Sequence, residues 1–154
     1  MATLEARTAD EMVQIGERIG RLLRPGDAVL IQGELGAGKT TLAQGIARGL
    51  GVAAPVTSPT FALIHEHRGA AARMAHVDPY RLRDEEEVEG TGFLDLLEGD
   101  AVLVVEWPER LGALAPPDHL HVRIERGEGD VRRLAFSGTG MRGAAIAAEL
   151  EQSC

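Results

Sequence analysis

Apolar residues recur at helical spacing in three stretches of the chain. In the first, Met12, Ile15 and Ile19 lie three or four positions apart, which places them on one face of an α-helix. Thr8 stands just before this stretch and Glu11 follows three positions later, the order of a capping box in which the glutamate reaches back to the Thr8 amide. The spacing predicts helices over about 9–23, 41–50 and 141–151.

Short apolar runs between these helices predict strands. Ala101–Glu106 is apolar at every position except the last, a composition typical of a strand buried on both faces. Leu120–Glu125 and Val131–Phe136 alternate around the turn 127–130 and predict a β-hairpin. Further strands are predicted over 28–32, 61–67 and 74–78, acidic helical pieces over 84–88 and 93–97, and a loop over 52–59.

Strands mixed with helices predict an α/β fold with three layers, a central and mostly parallel sheet, and a C-terminal β-hairpin. The length of 154 residues fits one domain over 1–154. The longest aliphatic run, Ala101–Val105, is too short to cross a membrane, and no apolar signal segment follows Met1. The one cysteine, Cys154, excludes an internal disulfide and a cysteine-based metal site. We therefore expect a cytoplasmic protein with no membrane contact.

The basic and acidic residues add two observations. The chain has 16 lysines and arginines against 24 acidic residues, a net charge of −8, which argues against broad binding to a nucleic-acid backbone. Lys39 is the only lysine among those 16 basic residues. All the other basic residues are arginines, so position 39 is the one exception to a preference for arginine.

That exception falls in a phosphate-binding motif. The segment Gly33–Thr40 reads Gly-Glu-Leu-Gly-Ala-Gly-Lys-Thr, which matches G-x-x-x-x-G-K-[ST] between a predicted strand and a predicted helix. Glycines allow the backbone amides to turn inward around an anion, and the helix N-terminus adds partial positive charge. Lys39 would reach the β- and γ-phosphates of ATP, and Thr40 would ligate Mg²⁺. The predicted nucleotide-binding residues are Gly33, Glu34, Leu35, Gly36, Ala37, Gly38, Lys39, Thr40 and Thr41. Lys39 is expected to be exposed, without contact to the core.

Two carboxylates stand where such a site needs an acid at the end of a strand. Glu106 ends the apolar run 101–105 and is the stronger candidate for Mg²⁺. Asp78 follows the strand over 74–77 and is a candidate for a catalytic or positioning role. Either residue could instead cap a loop. Trp107 comes directly after Glu106, a place that favours contact with a site or a partner over the core.

The hydroxyls of Thr57–Phe61 lie in a loop before a strand and could sense a γ-phosphate, although a proline-stiffened turn explains the same residues. The five histidines lack the spacing of a metal site and are interpreted as strand residues.

Taken together, the motifs resemble one family. The segments that carry the resemblance are Gly33–Thr41, Ser58–Phe61, His76–Leu82 (His-Val-Asp-Pro-Tyr-Arg-Leu) and Val105–Trp107. In this order they are similar to the TsaE (YjeE) family, small bacterial P-loop ATPases of tRNA threonylcarbamoyladenosine biosynthesis. The resemblance covers about residues 8–140 and implies a single P-loop NTPase domain.

The resemblance implies a function and partners. It implies a cytoplasmic, Mg²⁺-dependent ATPase that acts with TsaB and TsaD in modifying adenosine 37 of tRNAs that read ANN codons. Hydrolysis would be weak alone, stimulated in the complex, and used to reset the transferase. Contact with tRNA would then be indirect.

The resemblance also implies residue roles. Thr40 and Glu106 would ligate Mg²⁺, and Lys39, Asp78 and Glu106 would form the catalytic set. Two segments would be switch-like and contact the nucleotide. They are 57–61, through Thr60, and 106–107, through Trp107. Thr8 or Asp10 and Arg133 are the nearest matches to the residues that contact adenine in the family, with Arg132 nearly as good.

Two other functions fit the residues. A small-molecule P-loop kinase begins with the same strand, loop and helix, and the arginines of the predicted hairpin could imitate its lid. A regulatory module that binds nucleotide without useful turnover needs the same loop. A pocket for a phosphate acceptor would indicate the kinase. A catalytic role of Asp78 would argue against the regulatory module.

Overall fold

A computed structural model describes residues 2–53, 56 and 64–152. Within them, seven strands form one sheet. The strands, β1 to β7, are Ala2–Ala6, Ala28–Gly33, Ile64–His67, Met74–Val77, Val102–Glu106, His119–Arg126 and Arg132–Thr139. The helices, α1 to α5, are Ala9–Leu22, Lys39–Gly49, Glu85–Glu89, Phe93–Glu98 and Gly140–Gln152. Two 3₁₀ turns, Pro108–Arg110 and Gly112–Leu114, follow β5.

The sheet has the strand order β1-β7-β6-β2-β5-β4-β3. Its four central strands, β6, β2, β5 and β4, are parallel neighbours, whereas β3 and β7 run antiparallel to the strands beside them. The predicted mostly parallel centre and the C-terminal hairpin are therefore confirmed. Because parallel strands point the same way, the loops after β2, β4 and β5 leave the sheet at one edge.

Helices cover both faces of the sheet, as predicted for three layers. Val29 and Ile31 of β2 pack in one cluster with apolar residues of α1, α2 and α5. Ala28 and Leu30 of the same strand pack on the opposite face, in a cluster that includes Val88 and Phe93 of α3 and α4. Burial on both faces explains why β2 and β5 are apolar at nearly every position.

Most predicted elements are present, and one detail differs. The helical pieces predicted over 84–88 and 93–97 are present as α3 and α4, which are separated where Gly92, with φ +89°, adopts the left-handed conformation. Thr8 caps α1 through its hydroxyl, but the Glu11 carboxylate accepts from the Arg7 amide at 3.2 Å and not from the Thr8 amide. Strand 61–67 is described only from Ile64 onwards, and the predicted loop lies largely outside the described residues.

Strand β1 was not predicted. Among the described strands it pairs only with β7 and is the outermost strand on that side of the sheet, and two of its five residues are exposed. Ala2 and Ala6 face the core, and alanine is depleted in strands. A short edge strand with alanines as its buried residues carries little local signal.

Helices α1 and α2 touch through their backbones. Gly16 and Gly20 of α1 face Gly45 and Gly49 of α2. A Cβ atom on Gly16 would lie 2.5 Å from the Leu42 carbonyl oxygen and 2.7 Å from the Gly45 Cα. Only glycine permits this approach, which we call the glycine seam, and it holds α2 tightly against α1.

Helix α5 is held at its N-terminus by two carboxylates from other elements. Asp118 accepts hydrogen bonds from the backbone amides of Arg142 at 3.1 Å and Gly143 at 2.7 Å. These amides belong to the first turn, where a helix leaves its N–H groups without internal partners. The Arg142 guanidinium in turn donates to the buried Asp27 carboxylate at 2.7 and 3.0 Å.

The two amide bonds predict a pH-dependent contribution to stability. Hydrogen bonds from Arg142 and Gly143 lower the pKa of Asp118 below its usual value, so its stabilising effect is complete above the unfolded pKa of about 3.9 and is lost as pH falls through the folded pKa. We expect the difference in melting temperature between the native chain and Asp118→Ala to stay constant from pH 7 to 5 and to narrow below about pH 4. The difference between Asp118→Asn and Asp118→Ala, neither of which titrates here, should not change with pH. If the difference in melting temperature between the native chain and Asp118→Ala stayed constant at every acidic pH, the stabilising role of the ionised Asp118 would be contradicted.

No helix within the described ranges is both long enough and apolar enough to span a bilayer.

Candidate functional site

The predicted site residues meet at the edge of the sheet where the parallel strands end. The loop 33–40 follows β2, Asp78 comes directly after β4, and Glu106 is the last residue of β5. Residues two apart on a strand share a face, so Glu106 lies on the face of Val102 and Val104, which pack against α2. The N-terminus of α2 therefore stands over Glu106.

The loop 33–40 has the backbone that an anion cradle requires. Gly36 and Gly38 have φ values of +79° and +107°, a region that favours glycine. Helix α2 begins at Lys39 directly after Gly38 and has no side-chain cap. Its first-turn amides and partial positive charge therefore suit a bound phosphate.

Lys39 is buried, with 5% of its surface exposed, so the expectation that this lysine is exposed is wrong. Its Nζ donates to the carbonyl oxygens of Gly33 at 2.7 Å and Glu34 at 2.9 Å, and it lies 4.1 Å from the centre of the Trp107 ring. Burial lowers the pKa of Lys39, while the negative charges of Glu106 and Asp78 act in the opposite direction. The ammonium is thus held inside the loop that would surround a phosphate.

Thr40 and Glu106 form a pair of oxygen donors. The Thr40 hydroxyl lies 3.1 Å from each carboxylate oxygen of Glu106, and Glu106 is 2% exposed. A hydroxyl and a carboxylate are oxygen ligands of the kind that Mg²⁺ prefers, usually together with waters and substrate phosphates. The donor set therefore fits a nucleotide-bound Mg²⁺.

Asp78 lies near this pair in an environment that favours its protonated form. Burial raises the pKa of the Asp78 carboxyl, and the negative charge of Glu106 adds to the increase. The Tyr80 amide donates to Asp78 Oδ1 at 3.1 Å and acts in the opposite direction. A carboxyl with a raised pKa in a cleft is suited to accept a proton at neutral pH.

Trp107 adopts a left-handed backbone with φ 53°, which is unusual for a residue with a large side chain. Its ring packs against Tyr80 with the ring centres 4.8 Å apart and lies over the Lys39 ammonium. Strained residues of this kind cluster at functional sites. The prediction that Trp107 faces the site rather than the core agrees with this placement.

Three cavities border the loop, and one of them, of about 590 Å³, lies between the loop and the end of β6. The other two are lined by the predicted carboxylates and by the predicted Thr8, respectively. One, of about 370 Å³, is lined by residues of the loop, by both carboxylates and by Tyr80, Arg81 and Trp107. The other, of about 400 Å³, lies between the start of α1 and the hairpin β6–β7; it is lined by Thr8, Ala9, Met12, Gly36, Ala37, Gly38, Thr41, Asp130 and Arg132. A nucleotide has room for its phosphates on one side of the loop and for its base on the other.

The residues predicted for the adenine side are placed differently. Thr8 lines the second cavity, whereas Asp10 is an exposed residue of α1. Arg132 lines the same cavity, and the Arg133 Nε lies 3.7 Å from the Glu5 carboxylate instead. Neighbouring residues of a strand point to opposite faces, so β7 can turn only one of these arginines toward the loop.

Three contacts at the site were not predicted. Arg126 donates to the Leu35 carbonyl oxygen at 2.9 Å and so braces the loop from β6. His76 was predicted only as a strand residue, yet its Nε2 lies 2.6 Å from Glu106 Oε2. The burial of Lys39 beneath Trp107 was also missed. Thr60 and the segment 57–61 lie outside the described residues.

Known proteins share the sequence and the fold. Residues 6–134 match a family described as "Threonylcarbamoyl adenosine biosynthesis protein TsaE". A tRNA threonylcarbamoyladenosine biosynthesis protein TsaE from Streptomyces coelicolor is 44% identical over 138 residues, covering 85% of this chain and 93% of that protein. Its namesake from Bacillus subtilis is 34% identical over 154 residues, covering 99% and 96%.

A solved structure agrees with this match. The crystal structure of Bacillus subtilis YdiB superposes with a TM-score of 0.85 at 28% identity, and the match covers 99% of this chain and 95% of that one. The sequence is therefore similar along most of the chain and the fold along nearly all of it, in agreement with the phosphate loop described above. The chain belongs to the TsaE family of tRNA threonylcarbamoyladenosine biosynthesis proteins, which are nucleotide-binding proteins of the P-loop NTPase type.

Proposed function

We propose that this chain is a Mg²⁺-dependent ATPase that acts with TsaB and TsaD to form threonylcarbamoyladenosine at position 37 of tRNAs that read ANN codons. One observation carries the proposal. Lys39, Thr40, Asp78 and Glu106 surround a single cavity at the phosphate loop. In this proposal ATP hydrolysis resets the transferase for further cycles.

The loop would bind the triphosphate of ATP. Its backbone amides, from Gly33 to Thr41, would face the β- and γ-phosphates, and Lys39 would place its ammonium against them. The cavity beside Thr8 and Arg132 would take the base and ribose. Arg132 is the better candidate for this contact than Arg133 because only Arg132 lines that cavity.

Thr40 and Glu106 would hold the metal ion. When bound, Mg²⁺ neutralises negative charge on the phosphate oxygens. Glu106 is kept in place for this by its burial at the end of β5 and by the Thr40 hydroxyl. The two residues lie 66 positions apart in the chain, so the fold creates the pair.

Asp78 would orient the attacking water and accept its proton. Its raised pKa brings the carboxyl closer to the working pH, where general bases are most effective. The Tyr80 amide bond restricts how the carboxylate can rotate. Lys39 supports the same step because its fixed charge stabilises the oxygens that become more negative.

Partner proteins would complete the site. Leu35 and Tyr80 lie at the mouth of the cavity with 68% and 41% of their surface exposed. Exposed apolar side chains beside a reactive site suit a protein surface that closes over it. The net charge of −8 favours contact with tRNA through such partners over direct binding.

The test is ATP turnover of the single chain and of the complex. We expect the chain alone to turn over far below about 1 s⁻¹, the low end of typical enzymes, and to be stimulated when TsaB, TsaD and tRNA are added. Fast hydrolysis by the single chain would contradict a partner-dependent ATPase. A screen of small-molecule phosphate acceptors serves as the counter-test for a kinase.

The kinase alternative has less support. The arginines that could imitate a kinase lid lie on the paired strands β6 and β7; they are Arg123, Arg126, Arg132 and Arg133. A lid has to move over the acceptor, whereas residues in a sheet are held by the ladder of hydrogen bonds. Transfer of phosphate to a small acceptor would nevertheless revive this function.

Asp78→Asn separates an ATPase from a module that only binds nucleotide. We expect turnover in the complex to fall by at least about 100-fold, the typical contribution of a general base, with nucleotide affinity nearly unchanged. Asp95→Asn on the exposed side of α4 is the matched control and should behave like the native chain. Unchanged turnover of Asp78→Asn would remove the catalytic role of this residue.

A further inference from the structure

His76 and Glu106 form a buried polar pair below the phosphate loop. His76 Nε2 lies 2.6 Å from Glu106 Oε2, and the two side chains are 0% and 3% exposed. The other residues of β4, which are Met74, Ala75 and Val77, are all apolar and buried. Burying a polar side chain in such a strand costs free energy of folding unless the side chain forms a hydrogen bond.

The register of the sheet creates this contact. His76 of β4 pairs with Val104 of β5, two positions before Glu106. Residues two apart share a face, so His76 and Glu106 both lie on the face covered by α2. The histidine is therefore aimed at the carboxylate from the side, while Thr40 approaches it from the helix.

The hydrogen bonds distinguish the two oxygens of Glu106. The Thr40 hydroxyl is 3.1 Å from both Oε1 and Oε2 and does not select between them. His76 contacts Oε2. Among the described contacts of Glu106, the one with His76 is the one that sets the rotation of the carboxylate.

The direction of the bond follows from the chemistry. An ionised carboxylate accepts only, so the hydrogen must be on His76 Nε2. The Nδ1 atom is buried and has no partner within the part of the chain that the structure describes. A hydrogen on Nδ1 would be a buried donor without an acceptor, which is costly, so the Nε2–H form suits this site.

We propose that His76 is a positioning residue that holds Glu106 through Oε2, so that Oε1 and the Thr40 hydroxyl face the Mg²⁺ of a bound nucleotide. This inference rests on the proposed function. Outer residues that orient a metal ligand by a hydrogen bond typically change metal affinity by about 10–100-fold when they are replaced. The role thus predicts an effect on Mg²⁺ that a packing role does not.

The experiment compares two replacements of His76. Glutamine keeps an N–H donor at the end of its side chain, whereas leucine has similar bulk and no donor. Trp107, the only tryptophan, reports nucleotide binding by fluorescence, with ADP as the probe and Mg²⁺ titrated from zero. We expect His76→Leu to need about 10–100-fold more Mg²⁺ for half-saturation, and His76→Gln less than about threefold more. Binding of ADP without Mg²⁺ should be the same in all three proteins.

The possible outcomes separate this inference from the function on which it rests. The positioning role alone would be overturned if His76→Leu reached half-saturation at the same Mg²⁺ concentration as the native chain. It would also be overturned if the leucine and glutamine variants needed the same increase in Mg²⁺. If nucleotide binding by the native chain ignores Mg²⁺, both proposals are overturned. Should His76→Leu fail to fold by its melting curve, His76→Asn replaces it, because its shorter amide cannot reach Oε2 and the same loss is expected.

Discussion

Replacing Lys39 with alanine is expected to lower ATP turnover in the complex by at least about 100-fold, which corresponds to about 2.7 kcal/mol. Removing one partner of a desolvated, hydrogen-bonded charge pair typically costs about 2–5 kcal/mol. The ammonium is the charge that the loop itself offers to a triphosphate, and no second lysine exists to replace it. Both ATP affinity and turnover should therefore fall.

The same replacement should change the folded state little. Lys39 donates to Gly33 and Glu34 and lies over Trp107, but burial of its charge opposes these contacts, as the lowered pKa indicates. We expect the melting temperature of Lys39→Ala to stay within about 3 °C of the native value, a change of roughly 1 kcal/mol. A much larger drop would mean that the lysine holds the loop together.

Two variants control for this prediction. Arg48→Ala removes an exposed cation from the same helix, remote from the loop, and should leave turnover unchanged. Lys39→Arg keeps the charge but replaces a compact ammonium with a planar fork, which fits the cradle poorly, so it should recover little activity. Full activity of Lys39→Ala in the complex would contradict the proposed ATPase.

Gly16→Ala is expected to destabilise the folded state by forcing the glycine seam apart. Its Cβ would meet three backbone atoms of α2 within 2.8 Å, among them the Leu42 carbonyl oxygen. Backbone atoms cannot turn aside like the end of a side chain, so the helices must separate. Overpacking of this kind costs about 1–3 kcal/mol and occasionally more. The gain of about 1 kcal/mol in helix propensity offsets part of the cost.

We expect Gly16→Ala to lower the melting temperature by about 4–8 °C, since the upper end of the overpacking cost leaves a net loss of about 2 kcal/mol and each kcal/mol corresponds to about 2–4 °C for a protein of this size. Gly90→Ala is the control, because Gly90 has φ −63° and a Cβ there would have its nearest neighbour at 3.5 Å. That variant should melt within about 2 °C of the native chain. Equal melting of both variants would show that the glycine seam can open without cost.

Local sequence was enough to predict the elements that carry the chemistry. The loop 33–40 combines glycines, a lysine and a threonine in an order that is typical of phosphate-binding loops, and the flanking segments have clear strand and helix periods. Glu106 was predicted as a site residue because it is the one polar residue of a strand that is otherwise apolar, and it stands at the end of that strand. In both cases the information lies within a few consecutive residues.

Contacts that depend on register could not be predicted in this way. The bond between His76 and Glu106 joins residues 30 positions apart, and it depends on which residues of β4 and β5 stand side by side. The choice between Arg132 and Arg133 depends on the pairing of β7, because a shift by one residue exchanges the two faces. The Trp107 ring lies over the Lys39 ammonium, and the backbone of Trp107 is left-handed, which the local sequence does not indicate. Each of these follows from geometry that only the assembled sheet defines.

The glycine seam has a consequence for the cost of binding. Thr8, at the N-terminus of α1, lines the cavity proposed for the base, and Lys39, at the N-terminus of α2, lies in the loop proposed for the phosphates. Because the backbones of α1 and α2 are in contact, the spacing between these two ends is set before a nucleotide binds. A preorganised site loses little conformational entropy when the ligand binds. The seam therefore acts as a fixed spacer between the two proposed subsites, and ligands with a different distance between the base and the β-phosphate should bind less well.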